Sequence, residues 1–287
     1  MLIHKIEKTH FSESETIILN YIFSQGDEIR HMTISQIASA TYTSPPLLVR
    51  IAKKLGYNGW NAFKEDYLKE LEYLNVNREV DASVPFTEND SIMNIAHHIV
   101  QLEKETLDDT MSLMKHDDLQ KVIQIIRNSK EIDIYGVSNQ VSLAQTFKHN
   151  MSLINKKVNI YNSFDNAHLH TLMSNEHKSA IIISYSGRIK YILDIAKKLK
   201  EKQTPLIVIT SIADTELTKI ADVTLRMSSR EFLYNKIGDY STTQSIKCIL
   251  DILYSCIFSL EYDKNLEYKI KVSKELNDDL KDLWNCS

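Results

Sequence analysis

One stretch limits what this chain can fold into more than any other: Ala180-Ile181-Ile182-Ile183-Ser184-Tyr185-Ser186-Gly187-Arg188-Ile189-Lys190. Its opening apolar run, rich in β-branched residues, predicts a strand buried on both faces. The run stops at hydroxyls and a glycine, and a helix-period pattern (Ile189, Ile192, Leu193, Ala196, Leu199) follows at once. A strand that hands over to a helix in this way suits an anion. The helix N-terminus offers unpaired N–H groups, Gly187 permits close backbone approach, and the serines add donors. The same residues also read as an ordinary cap and turn, and spacing alone leaves both readings open.

The surrounding sequence repeats the strand-and-helix rhythm. Strands are predicted at Ile132–Tyr135, Lys157–Tyr161, Ala180–Ser184, Leu206–Thr210 and Asp222–Arg226. Helices are predicted between them at Gln140–Ile154, Ala167–Met173, Ile189–Lys200 and Glu216–Ile220, with Leu119–Asn128 ahead of the first strand. Strands separated by helices imply an α/β domain whose five-stranded parallel sheet is flanked by helices. Two of the six glycines, Gly136 and Gly187, sit where a strand becomes a loop. Ligands of open parallel sheets collect at the carboxyl ends of the strands, so this placement predicts a small-ligand pocket. A buried helix (Thr242–Leu260) and a polar helical tail (Lys264–Trp284) close the chain.

The front of the chain reads as an all-α module. Ser12-Glu13-Ser14-Glu15 opens a helix with a hydroxyl cap and first-turn carboxylates, and Gly26 ends it. A short helix begins at Thr33, and a tight connection through Thr41-Tyr42-Thr43 leads to a third helix, Pro46–Leu55, capped by Ser44 and closed by Gly56. Two short helices joined by a turn, the second of them basic, have helix-turn-helix proportions. Net charge is −4, which does not suggest a nucleic-acid binder. Yet no acidic residue lies between Glu28 and Glu65, a window holding Arg30, Arg50, Lys53, Lys54 and Lys64, and local charge is what a phosphate backbone responds to. Tyr57, Trp60 and Phe63 are spaced for packing behind the third helix. Asn75 to Asp90 loses periodicity and reads as a linker, and Ser91 to Met114 as a long amphipathic helix with a stripe of Ile92, Ile95, Ala96, Ile99, Leu102 and Leu107. His97 and His98 are adjacent, so they face different ways and do not suit a metal.

At 287 residues the chain has room for about two domains. No apolar run approaches the ~20 residues that span a bilayer. The first residues carry charge where a secretory signal needs an apolar stretch. Three cysteines, Cys248, Cys256 and Cys286, are odd in number and form no C-x-x-C, which suits a reducing cytoplasm and neither a disulfide framework nor a zinc site. No metal or cofactor is expected, and no membrane.

Several of these segments resemble a known family. Met32 to Ala38, Thr43-Ser44-Pro45, Val49 to Tyr57 and Gly59 to Lys64 resemble the amino-terminal module of the RpiR/MurR transcriptional regulators. Ile134-Tyr135-Gly136-Val137-Ser138, Ser184-Tyr185-Ser186-Gly187, Val208-Ile209-Thr210 and Ser229-Arg230-Glu231 resemble the sugar isomerase (SIS) domain that follows it there. The resemblance implies a helix-turn-helix domain over residues 1–75, a linker and connecting helix over 76–110, and a SIS domain over 111–287. It implies a cytoplasmic regulator of carbohydrate metabolism that binds a double-stranded operator through Ser44, Arg50, Lys53 and Lys54. Its effector would be a phosphorylated sugar held by Gly136, Ser138, Ser184, Ser186, Gly187 and Arg188, with Glu231 and His168 near the sugar. A homodimer or tetramer is implied, and no enzymatic activity.

The chain departs from the family's pattern in ways that bear on this. Ile189 stands where a threonine is usual after the Ser-x-Ser-Gly loop, and Ser138 and Gln140 replace the usual residues of the first loop. Pro46-Leu47 replaces a Ser-Thr pair on the recognition helix. Two readings therefore stand beside the sugar-phosphate regulator. One is a regulator with a ligandless, dimerising SIS domain. The other is an aldose–ketose phosphate isomerase, which would need Glu231 or His168 as a proton-moving base.

Overall fold

The computed structural model describes residues 6, 9–74, 79–137, 139–161, 163–231 and 236–285. They divide into two compact units, 1–101 with 230–238, and 102–229 with 239–287.

In the first unit, α1 (Glu13–Gln25) opens on a capping box: the Ser12 hydroxyl accepts from the Glu15 amide, and the Glu15 carboxylate accepts from the Ser12 amide. A 3-10 turn, Gly26–His31, follows, one element the sequence reading did not anticipate. Then come α2 (Ile34–Ala40), α3 (Pro45–Lys54) and α4 (Trp60–Leu74). Thr33 and Gln36 form a second capping box. Ser44 holds the N-cap position of α3, but its hydroxyl makes no capping hydrogen bond. Ile18, Ile22, Ile37, Leu48, Ile51 and Phe63 are fully buried in one core. Trp60, Phe63 and Tyr67 stack through it, with Phe63 and Tyr67 centroids 6.3 Å apart. These aromatics are packing, as their helical spacing implied.

The linker region is not a loose tether. Val80, Ala82, Ser83 and Pro85 are buried. Arg230 donates to the Val80 carbonyl, and the Ile237 amide to that of Ser83. The loop that follows the last strand thus holds the linker, an association 150 residues apart in sequence. The long helix α5 (Ile92–Ser112) begins here, and the division between units falls within it. Its expected apolar stripe is largely in solvent: Ile92 is 85% exposed and Ala96 is exposed, while Leu102, Thr106, Asp109 and Thr110 are buried.

The second unit alternates helices and strands. After α6 (His116–Asn128) come β1 (Glu131–Gly136), α7 (Asn139–Ser142), α8 (Ala144–Ser152), β2 (Lys157–Tyr161) and α9 (Phe164–Leu172). They are followed by β3 (Lys178–Ile183), α10 (Lys190–Glu201), β4 (Leu206–Thr210), α11 (Glu216–Ile220) and β5 (Val223–Arg226), then α12 (Tyr240–Ser259) and α13 (Tyr262–Asn285). All strand pairs are parallel, in the order β2-β1-β3-β4-β5. Ala180, Ile182, Leu206 and Val208 pack with Ile192, Ile195 and Leu199 of α10 on one face. The alternate residues Ile181, Ile183, Ile207 and Ile209 are equally buried, facing the other way by the two-residue period of a strand. Both faces are covered, which is why the strands read as continuous apolar runs. Among the described residues no single helix is long and apolar enough to cross a membrane.

Candidate functional site

The sequence singled out two sets of residues, one on α3 and one at the carboxyl end of the sheet. On α3, Leu48, Ile51 and Ala52 face the core and leave Arg50, Lys53 and Lys54 outside. The three cations are not equivalent. Glu15 of α1, almost fully buried, accepts from Lys54 Nζ at 2.9 Å and Arg50 Nε at 3.3 Å. Burial pushes its carboxyl up, but the Ser12 amide bond and the Lys54 and Arg50 charges outweigh that and hold it at about 2. The acid-free window is therefore not acid-free in space. Lys53 is exposed, with no acidic partner among the described residues. Arg50 has only its Nε engaged and remains 67% exposed. Arg30 pairs with Asp27, and Lys64 donates to the Arg30 and Met32 carbonyls, so neither stands as a free cation. His10, Ser12, Glu15, Arg50, Lys53 and Lys54 line one open hollow of ≈ 610 Å³.

In the second unit, strand order reverses between β1 and β3. In doubly wound sheets the crevice at that reversal, outside the strands' carboxyl ends, is where ligands sit. The two loops leaving there are those after Gly136 and Ile183. They are joined: the Gln140 side chain accepts from the Tyr185 amide at 3.3 Å. A Cβ on Gly136 would lie 2.6 Å from Val141 and 2.9 Å from the Ile183 carbonyl oxygen, so this strand end admits only glycine. Gly187 has φ +59, and a Cβ there would lie 2.7 Å from Thr215 Oγ1 and 3.3 Å from Thr210 Oγ1. The close approach that Gly187 permits is therefore to the Thr215 side chain, not to empty space.

Donors remain around this loop. Among the described residues, Ser184 Oγ is buried with no partner, and so is Ser211 Oγ at the adjoining end of β4. The Ser186 and Gly187 amides make no hydrogen bond among the described residues. Arg188 is half-buried, and its guanidinium is unpaired among the described residues. Its amide donates to Ser186 Oγ at 3.4 Å, which folds the loop on itself. Ile189 holds the N-cap position of α10 and supplies no side-chain cap.

Ser138 lies outside the described residues. His168 is exposed on α9 in the second unit, whereas Glu231 is buried in the first. The Glu231 carboxylate accepts from Lys236 Nζ at 3.1 Å, a buried pair. Glu231 and His168 thus belong to different units. Among the described residues no cluster of His, Cys, Asp or Glu is arranged to hold a metal. Sequence reasoning missed Glu15, Gln140 and Thr215. Glu15 was visible as a capping-box residue, but no local signal placed it against side chains 35 and 39 positions on.

Comparisons with known proteins agree with this architecture. A helix-turn-helix domain of the rpiR family matches residues 2–72, and a SIS domain matches residues 125–238. An uncharacterized HTH-type transcriptional regulator of Caldanaerobacter subterraneus subsp. tengcongensis is 25% identical over 270 residues, covering 93% of each chain. The solved structure of the Vibrio vulnificus NanR protein complexed with ManNAc-6P superposes with a TM-score of 0.61 at 18% identity, covering 96% of each chain. The sugar isomerase domain of an RpiR transcription factor from Sphaerobacter thermophilus superposes with a TM-score of 0.55 at 12% identity, over 62% of this chain and 98% of that one. With the two domain matches together spanning well over half of its length, the chain belongs to the RpiR family of transcriptional regulators, a helix-turn-helix domain followed by a SIS domain.

Proposed function

We propose that this regulator binds a double-stranded operator through α3 and is controlled by a phosphorylated sugar held at the β1/β3 reversal of its SIS domain. Residues 1–75 form the DNA-binding part, 76–110 the connection and 111–287 the effector part. The observation that carries the effector half is the set of unused donors at one strand end: Ser184 Oγ, the Ser186 and Gly187 amides and the Arg188 guanidinium. Burying a polar group without a partner costs about 1–3 kcal/mol, so an oxyanion there recovers energy that the empty loop forgoes. The NanR structure, of the same fold, holds a sugar phosphate, which supports that class of ligand. On DNA, Lys53 neutralises a phosphate, Arg50 presents its free guanidinium nitrogens to a base edge or phosphate, and Ser44 offers an unused hydroxyl. Lys54 contributes less, because Glu15 already holds it. The Glu231 carboxylate is engaged by Lys236 and His168 belongs to the other unit, which supports reading the protein as a regulator rather than an enzyme.

Thermal melting against phosphorylated hexoses, amino sugars and pentoses, each beside its unphosphorylated parent, tests the effector half. A ligand at 100 times its Kd adds about 2.7 kcal/mol, so one phosphorylated member raises Tm and its parent does not. No shift from any member supports the second reading, a ligandless dimerising SIS domain. That reading is favoured by the Gln140 side chain, which occupies the Tyr185 amide, and by Thr215 against Gly187.

A further inference from the structure

Tyr42 sits in the turn between α2 and α3 with φ +52, a left-handed conformation that costs a residue bearing a Cβ roughly 1–2 kcal/mol. The turn holds it there. The Thr43 amide donates to the Ala38 carbonyl at 2.8 Å and the Tyr42 amide to that of Ser39 at 3.2 Å, the pair of bonds that closes a helix with one left-handed residue. The Thr41 hydroxyl adds a bond to the Ile37 carbonyl at 2.8 Å and lies 2.9 Å from that of Thr43. One helix later the same pair of bonds closes α3, from Tyr57 to Ala52 and from Gly56 to Lys53, and there the left-handed residue is glycine. Asn155 and Gln203 occupy the other left-handed closures, both with polar side chains at home in water. Among the described residues, only at position 42 does a large aromatic ring stand in this conformation.

The ring gains nothing from the fold. Tyr42 is 98% exposed and touches no core residue, and its hydroxyl has no partner among the described residues. Strained backbone positions cluster where a chain meets a ligand or partner, and this one carries its side chain wholly in water. Its place is two residues before Ser44, at the entry to the helix that carries Arg50 and Lys53. We infer that the Tyr42 hydroxyl donates a hydrogen bond to a backbone phosphate of duplex DNA beside the recognition helix. The turn fixes the backbone from which the ring projects, so little backbone freedom is lost when it docks. This rests on the DNA-binding reading above. Tyrosine is one of the neutral side chains that bond phosphate oxygens, and such contacts set register without reading sequence.

The test is fluorescence anisotropy of the full chain on two labelled duplexes, a random-sequence 30-mer and one enriched by this protein from a random library, across a salt series. Tyr42→Phe is expected to weaken both about 10- to 150-fold, in line with one lost hydrogen bond to a charged group. The salt slope stays unchanged, because a neutral donor releases no counterion. Tyr42→Gly weakens binding equally and raises Tm by relieving the turn. Tyr42→Phe binding within twofold of the parent overturns the phosphate contact, whether Tyr42→Gly binds normally or, with the ring alone mattering, does not. Lys53→Ala separates the two levels: if it lowers affinity while both Tyr42 variants bind normally, DNA binding through α3 stands and this inference falls. If the parent binds neither duplex, the DNA reading itself falls.

Discussion

Gly187 and Asp133 show how far a single position governs this molecule. Gly187 combines a left-handed backbone with a neighbour 2.7 Å from where a Cβ would stand. Gly187→Ala is expected to lower stability by about 2–3 kcal/mol, read from urea unfolding, and to weaken any effector by displacing the Ser186 and Gly187 amides. Asp133 is buried in β1, where Asn159 Nδ2 donates at 2.8 Å, Tyr161 OH at 3.3 Å and Lys178 Nζ at 3.3 Å. Burial and the Asp133 charge push the Tyr161 hydroxyl well above its ordinary range. Removing the Lys178 cation takes away the ion pair of a buried charge, so Lys178→Met is expected to cost about 3 kcal/mol by the same measurement. An unchanged midpoint would mean that Asn159 and Tyr161 suffice.

Between elements, the ties of Glu15 to Lys54 and Arg50 pin α1 to α3. The folded Glu15 carboxyl lies at about 2, below its ordinary 4.5. The stabilisation it supplies is therefore complete above about pH 4.5 and is lost as pH falls toward 2. Thermal melts of the parent and Glu15→Gln over that range should converge at the acid end; a constant gap would contradict the clamp. The same helix sets the DNA prediction. Lys53→Ala should lower the slope of log affinity against log salt by about 1 on any duplex, and an unchanged slope would remove Lys53 from the phosphates. Much at this scale was legible in the sequence. Uninterrupted runs such as Ala180–Ile183 and Leu206–Thr210 announced strands because both sheet faces are covered, and the Thr33 and Ser12 boxes announced helix starts. The stripe on α5 misled: its period is helical, but Ile92 and Ala96 face solvent and the helix is held instead by Thr106 and Thr110, which bond Ser241 and Ser245. Periodicity reports that a face exists, not what covers it. The candidate site was half legible: its loops are local, whereas Gln140 on the Tyr185 amide and Thr215 against Gly187 are pairings that no local pattern encodes.

For the whole molecule, the proposed regulation requires the strand-end loops to act on residues 1–75, and α5 is the element in which the division between the two units falls. The segment leaving β5 is bonded at Met227 to Thr210 of β4, beside the unused Ser211 hydroxyl. Its Ser228 hydroxyl meets Ser241, which accepts from Thr106 of α5, and α5 is the helix that continues toward the linker. These buried hydroxyls are mutually satisfied, and such networks favour one arrangement over nearby alternatives. An effector that bonds the strand ends differently in two arrangements shifts DNA affinity by its own difference in affinity for them. The most direct test is the affinity of the full chain for its enriched duplex, with and without the sugar phosphate that raises Tm, in the parent and in Ser184→Ala. The account predicts a change of about five- to 150-fold in the parent and little or none in Ser184→Ala, whose DNA binding without effector is intact. A sugar phosphate that binds while leaving DNA affinity untouched would contradict it.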